Sequence, residues 1–263
     1  MFWLGSVMAK VGQALRPLSI AGFLVLSLLL SWTWAAETAP LRVGLDSNYP
    51  PFSRLDRRGH GAGFNLEVAE ELCRAMGRRC EFEFQPLDRL LETMRHGGLD
   101  LLMGVCSTQD RLTYMDFSQP YFRSRSVYIG RAGNGSDGPK GMVRIGARGG
   151  SVQLAHALSR RGDRAVVAPD EFGRLLDMLC AGELDLILAN DLAAYSFLLS
   201  ERGQDFDVLG DPLPLDSLPG LVRIGVRKDE DELRQAVDRA IRDIRFSGAF
   251  GRINRSYFPY SLY

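Results

Sequence analysis

Leu90 to Gly104 reads LLETMRHGGLDLLMG, and Leu175 to Ala189 reads LLDMLCAGELDLILA. The two stretches align without a gap over 15 positions. Each opens on Leu-Leu-acid, shares a glycine at Gly97 and Gly182, and closes on Leu-Asp-Leu at 99–101 and 184–186. Read locally, each is a helix, a glycine stop and a buried strand. The plain alternative is a chance match between two simple helix–strand units. The unbroken register favours two equivalent lobes within one chain.

The same alternation continues outward. Leu41–Leu45 reads as a strand, Phe64–Met76 as an amphipathic helix stopped by Gly77, and Cys80–Phe84 as a strand. Asp88 is expected to cap a helix at 89–96, followed by a strand at 99–103. Thr108 caps a short helix with Asp110 and Arg111 in its first turn. Gly133 to Lys140, rich in glycine and polar residues, reads as a surface connection. Beyond it come strands at 143–147, 164–167, 184–188 and 206–209, with helices at 152–161, 171–181 and 191–201. Residues 229–257 read as helical without new strands. Strands alternating with helical patterns predict α/β lobes with largely parallel sheets. Such sheets bind ligands beyond the carboxyl ends of their strands. Those ends fall at Asp46–Tyr49, Gly104–Arg111, Gly149–Ser151 and Ala189–Asp191, so two lobes facing each other would make a cleft.

The amino terminus follows other rules. Lys10 and Arg16 form a basic start, Leu18 to Leu30 an apolar core, and Thr33-Trp34-Ala35 a small-x-small cleavage site, with Ala36 as a neighbouring option. Residues 1–35 are therefore expected to be a signal peptide. An uncleaved membrane anchor is the competing reading, because Leu18 to Ala36 is nearly long enough to span a bilayer. Either way the remainder is exported. The 263-residue chain has 32 basic and 32 acidic residues, so loss of Lys10 and Arg16 leaves 30 against 32. No basic run appears, which argues against nucleic acid as a partner. Export permits disulfides among the four cysteines. Their spacings match no zinc pattern, and His60, His96 and His156 are scattered, so neither a metal site nor a cofactor is read.

The chain resembles the polar amino-acid type of periplasmic solute-binding protein, the receptor component of ABC importers. The residues carrying the resemblance run from Leu41 to about Pro259. They are Asp46-Ser-Asn-Tyr-Pro-Pro-Phe52, Gly63-Phe-Asn-Leu66, Gly98-Leu-Asp100, Thr108-Gln-Asp-Arg111, Asp116-Phe-Ser-Gln-Pro-Tyr121, Leu184-Asp185 and Tyr257-Phe258. The resemblance implies a periplasmic-binding-protein-like fold: two α/β lobes joined by two hinge strands with a ligand cleft between them. Lobe 1 would be 41–126 plus 223–263, and lobe 2 would be 127–222. The crossovers would lie near Arg125–Gly130 and Pro219–Val226. The Cys73-x6-Cys80 spacing is similar to that of histidine-binding and lysine/arginine/ornithine-binding members, which implies a Cys73–Cys80 bridge. Within the repeat, Cys106 corresponds to Asp191 and Cys180 to Arg95, at opposite ends of their units, so those two thiols are expected to stay free.

Candidate ligand contacts follow. Arg111 offers a rigid, permanently charged fork suited to a carboxylate, in the first turn of a helix. Thr108 caps that helix and could also face the ligand. Tyr49 resembles a family tyrosine that covers the ligand's side chain, whereas Phe52 reads as core. In lobe 2 the family places an aspartate to hold the ligand's ammonium. Here that position is Asn190, with Asp191 next to it. The family's Gly-Thr-Thr turn is Gly150-Ser151-Val152, and Cys106 stands about where a serine often touches the ligand. These departures weigh against an α-amino acid, and the expected ligand is an amino acid or a related organic acid.

The expected function is capture of a small polar carboxylate in the periplasm by a monomer that delivers it to the membrane permease of an ABC importer. No GxSxG, HExxH or phosphate-loop motif is present, so an enzyme is not the primary reading. The alternatives are a cyclohexadienyl-dehydratase-like enzyme on the same fold, with Asp191 as the acid, and an accessory or sensory protein of a periplasmic dehydrogenase system.

Overall fold

A computed structural model describes residues 39–133, 143–160 and 165–262. The signal segment and most of the Gly133–Lys140 connection lie outside the described residues.

Along the chain come β1 (Leu41–Asp46), β2 (Asn48–Tyr49), β3 (Ser53–Leu55), β4 (Gly61–Ala62), α1 (Phe64–Ala75), β5 (Cys80–Gln85), α2 (Leu87–Arg95) and β6 (Leu101–Cys106). Then follow α3 (Gln109–Leu112), β7 (Met115–Phe117), β8 (Phe122–Arg123), β9 (Ser126–Arg131), β10 (Arg144–Gly146), α4 (Val152–Ser159) and β11 (Ala165–Val167). The chain ends through α5 (Phe172–Cys180), β12 (Leu186–Asn190), α6 (Asp191–Leu198), β13 (Phe206–Leu209), β14 (Leu221–Arg227), α7 (Asp231–Phe246) and α8 (Ala249–Tyr257).

The strands build two lobes. The first sheet runs β5-β1-β6-β14-β7, with β8 also on β14; the second runs β11-β10-β12-β9-β13. Three parallel strands open each sheet, and an antiparallel strand follows: β14 against β6 in the first, β9 against β12 in the second. The sheets are therefore less parallel than the alternation predicts. The reason lies in the connections, because the chain enters each antiparallel strand from the other lobe and so arrives at the opposite end. β8 pairs within the first sheet and β9 within the second, which places the first crossing at Ser124–Arg125.

The repeated stretches form the same unit twice. α2 and α5 each stop at a glycine in the left-handed region, Gly97 at φ 70° and Gly182 at φ 73°, where a Cβ would be strained. α2 begins at Leu87, two residues earlier than expected. Pro86, not Asp88, is its N-cap residue, and Asp88 lies in the first turn, where its carboxylate accepts the Arg89 N–H at 2.8 Å. The small antiparallel sheet β2-β3-β4 after β1 is a further addition. Phe52 on its turn is buried among Phe64, Phe122 and Phe258. α7 and α8 pack on α1. Cys73 at the end of α1 is disulfide-bonded to Cys80 at the start of β5, while Cys106 and Cys180 are free thiols. One apolar core cluster runs from Leu45 and Phe52 in the first lobe to Phe172 and Ile187 in the second.

Candidate functional site

The site forms where strand ends of the two sheets meet. β1 ends on Asp46, whose carboxylate accepts the Asn48 N–H at 2.9 Å. Just after β10 comes Arg148. Both side chains are buried, and the Arg148 Nη1 is ion-paired with the Asp46 Oδ2 across the cleft. Burial raises the Asp46 carboxyl above its ordinary value, and the Arg148 charge opposes that rise. The Arg148 guanidinium also lies 3.8 Å from the centre of the Tyr49 ring, well inside cation–π range. Its Nε is buried without a hydrogen-bond partner. Tyr49 stacks on Phe52 at 5.3 Å and meets Phe172 of the second lobe edge-on at 5.2 Å. Burial pushes its phenol up to about 12.

Arg111 is placed by a tight turn. β6 ends, Thr108 caps α3 by accepting the Arg111 N–H at 3.3 Å, and the guanidinium turns back into the cleft. Nη1 donates to the Cys106 carbonyl at 2.7 Å, and Nη2 donates to the Gly150 carbonyl of the second lobe at 2.8 Å. Arg111 therefore bridges the lobes and keeps three of its five N–H donors for other partners. Burial lowers its pKa, yet a guanidinium starts so high that it stays charged.

Asn190 ends β12 and caps α6. Its side-chain oxygen accepts the Leu192 N–H at 2.9 Å and the Ala193 N–H at 3.4 Å. Because that oxygen is committed to the cap, the amide is left with its N–H donors. Ser151 caps α4 by accepting the Leu154 N–H at 3.1 Å and donates to the Arg148 carbonyl at 2.6 Å. The Cys106 thiol donates to the Pro219 carbonyl at 3.4 Å, and burial pushes its pKa up.

Tyr49, Cys106, Arg111, Arg148, Ser151 and Asn190 come together around a cavity of about 470 Å³, part of it open to solvent. No aspartate or glutamate is among the described residues that line it. Thr108 and Asp191 are not in the lining. Thr108 acts as a cap. Asp191 sits where the chain crosses between sheets: its carboxylate accepts from the Ser124 hydroxyl at 2.9 Å, and its N–H donates to the Arg125 carbonyl at 2.8 Å. Burial raises its pKa.

Sequence reasoning gave Asp46 as a strand end and as the first residue of a family stretch, without a role at the ligand, and passed over Arg148. A signal was present. Arg42-Val-Gly-Leu-Asp46 and Arg144-Ile-Gly-Ala-Arg148 are equivalent stretches that open on matching strands of the two sheets, and their final residues are the pair that meets.

Residues 41–260 match the family model of bacterial extracellular solute-binding proteins, family 3. The chain belongs to that family. Among its relatives is an L-arginine-binding protein of Pseudomonas aeruginosa, 28% identical, covering 95% of this chain and 99% of the relative. Another is the lysine/arginine/ornithine-binding periplasmic protein of Escherichia coli, 29% identical, covering 91% and 97%. In fold this solute-binding protein is similar to a Salmonella typhimurium periplasmic binding protein of high arginine specificity. That match has a TM-score of 0.76 at 23% identity over 83% of this chain and 99% of the other.

Proposed function

We propose that this family member captures a small carboxylate lacking a cationic group and passes it, in the periplasm, to the permease of an ABC-type importer. The charge of the cavity lining carries this reading. Among the described residues two buried guanidiniums line the cavity and no carboxylate does. At Asn190 the acceptor is committed to a helix cap, so an ammonium finds no partner there. The relatives named for arginine, lysine and ornithine take ligands with a second positive charge; this lining is built against one.

In this reading Arg111 and the free Nε of Arg148 bind the carboxylate, with Ser151 and Asn190 as neutral partners and Tyr49 beside them. Each lobe supplies part of the contact set, so ligand shifts the population toward the closed form. Catalysis would need an acid free to reach the cavity. Asp191 is engaged by Ser124 and Asp46 by Arg148, which supports binding rather than chemistry.

A thermal-shift screen of amino acids, keto acids and aromatic acids tests the proposal. A true ligand at 100 times its dissociation constant adds about 2.7 kcal/mol of stability. Response to cationic amino acids alone would sink the reading. Asn190→Asp sharpens it: the aspartate keeps the cap and adds a negative charge to the cavity, so the native carboxylate should bind more weakly and α-amino acids more tightly. Tightening of the native ligand, measured by titration, would mean that the ligand is an amine.

A further inference from the structure

Arg148 does more than line a cavity. Its guanidinium rests on the Tyr49 ring and pairs with a carboxylate that is itself buried. A carboxylate and an aromatic face at right spacing make a seat for a planar cation. Both halves of that seat, Asp46 and Tyr49, come from the first lobe, whereas the occupant comes from the second. We propose that Asp46 and Tyr49 form a guanidinium site which the chain fills with its own Arg148, so that Arg148 determines specificity by barring free guanidinium-bearing solutes from the cleft.

Three observations support the assignment. First, 46 and 148 are equivalent positions of the internal repeat, so residue 148 projects from its sheet toward the cleft as Asp46 does from the other. Second, among the described residues the Asp46 carboxylate pairs with one cation, Arg148, and otherwise accepts the Asn48 N–H. A buried carboxylate stripped of its partner would demand another. Third, Arg148 is not fully used by the seat. Its Nε remains buried and without an acceptor. The resident side chain thus cancels the charge of Asp46 and still offers a donor to an anion. Arg111, Arg148 and Asp46 together carry one positive charge; without Arg148 they carry none, and the Asp46 carboxylate loses its ion-pair partner. The seat stands on this geometry. Only its consequence, that the ligand is anionic, rests on the function proposed above.

The test uses Arg148→Ala and methylguanidinium chloride at low millimolar concentration as the probe, with methylammonium as the control that lacks the planar fork. Methylguanidinium at ten times its dissociation constant should raise the melting temperature of Arg148→Ala by about 3–6 °C. It should leave the wild type unmoved, and adding Asp46→Asn to Arg148→Ala should abolish the rise. Methylammonium should act more weakly than methylguanidinium. Arg148→Ser, which leaves space and a hydroxyl near Asp46, serves if the alanine variant does not fold unaided. Equal response in wild type and variant would overturn the proposal. So would no response in a folded variant, a response that survives Asp46→Asn, or failure of both variants to fold even with the probe present. A wild type that binds no carboxylate would overturn the function proposed above and leave this experiment's reading intact.

Discussion

In the first lobe Arg42 donates its backbone N–H to Asp100 at 2.7 Å and a guanidinium nitrogen to the Gly97 carbonyl at 2.8 Å. In the second, Arg144 does the same to Asp185 and Gly182 at the same two distances. Gly44 lies under Leu90 and Leu99, and Gly146 lies under Leu175 and Leu184, the matching pair. The interior of the unit is thus built twice to one pattern. The exits are not. Where β1 ends on an aspartate, β10 leads into an arginine; where β6 ends on Cys106, the matching position in the second lobe is Asp191, bonded at the crossing. Packing holds the frame to one solution. The strand ends bear no such constraint, and there the two halves have become complementary in charge.

The likeness of the two frames and the difference of their exits can each be measured. The largest effect is expected at Arg111, which has no arginine opposite it in the second unit. Arg111→Ala should weaken the native carboxylate by about 3–5 kcal/mol, since the ligand's charge loses its partner in a closed cleft. Arg111→Lys should recover only part, because an ammonium lacks the fork. Calorimetry giving less than a tenfold loss for the alanine variant would mean that no carboxylate is held there.

The disulfide belongs to the first lobe alone. Cys73→Ala with Cys80→Ala should lower unfolding stability by about 2–3 kcal/mol. Hydrogen exchange should show α1 and β5 opening more readily while β10 to β12 keep their protection. A uniform loss would mean that the lobes open as one.

The shared frame predicts matched costs. A Cβ at Gly44 would stand 2.6 Å from Leu99 Cδ1, and one at Gly146 would stand 2.4 Å from Leu175 Cδ2. Each alanine substitution should cost about 1–3 kcal/mol in a urea melt, through overpacking. If one proves neutral, the two units are not packed alike.

Asp185 should give the smallest effect. The hydrogen bond from Arg144 holds its carboxyl below 3.8. A depressed folded value means that the stabilisation is complete above the unfolded value and is lost as the pH falls through the folded one. Stability curves of wild type and Asp185→Asn should therefore differ near neutrality and converge below pH 3.8. A constant gap down to pH 2 would show that the carboxylate charge contributes nothing.

The frame was legible in sequence because helix, glycine stop and buried strand are local events with local signatures. Leu-Asp-Leu at 99–101 and 184–186 held its register, and its aspartates clasp Arg42 and Arg144. The start of α2 was misjudged because Asp88 is a good capping residue type, and nothing local says that the helix already begins after Pro86. The strands of the small sheet at 48–62 span two or three residues, too few to show a period. The Asp46–Arg148 pair escaped because its partners lie 102 residues apart and meet only when both lobes are present. Asp191, attractive from its neighbourhood, points to Ser124 because the next residue after a strand end turns away from the one before it.

The position of β14 has a consequence for the order of assembly. It lies between β6 and β7 in the first sheet and gives β8 its pairing as well. Among the described strands β7 and β8 pair with β14 alone, so until residue 227 has emerged the sheet stops at β6. The second sheet lacks nothing once Leu209 is available. A chain emerging from its amino terminus therefore finishes the lobe in its middle first and its outer lobe last. The half that begins the protein must wait, its strand edge open, for the segment that nearly ends it.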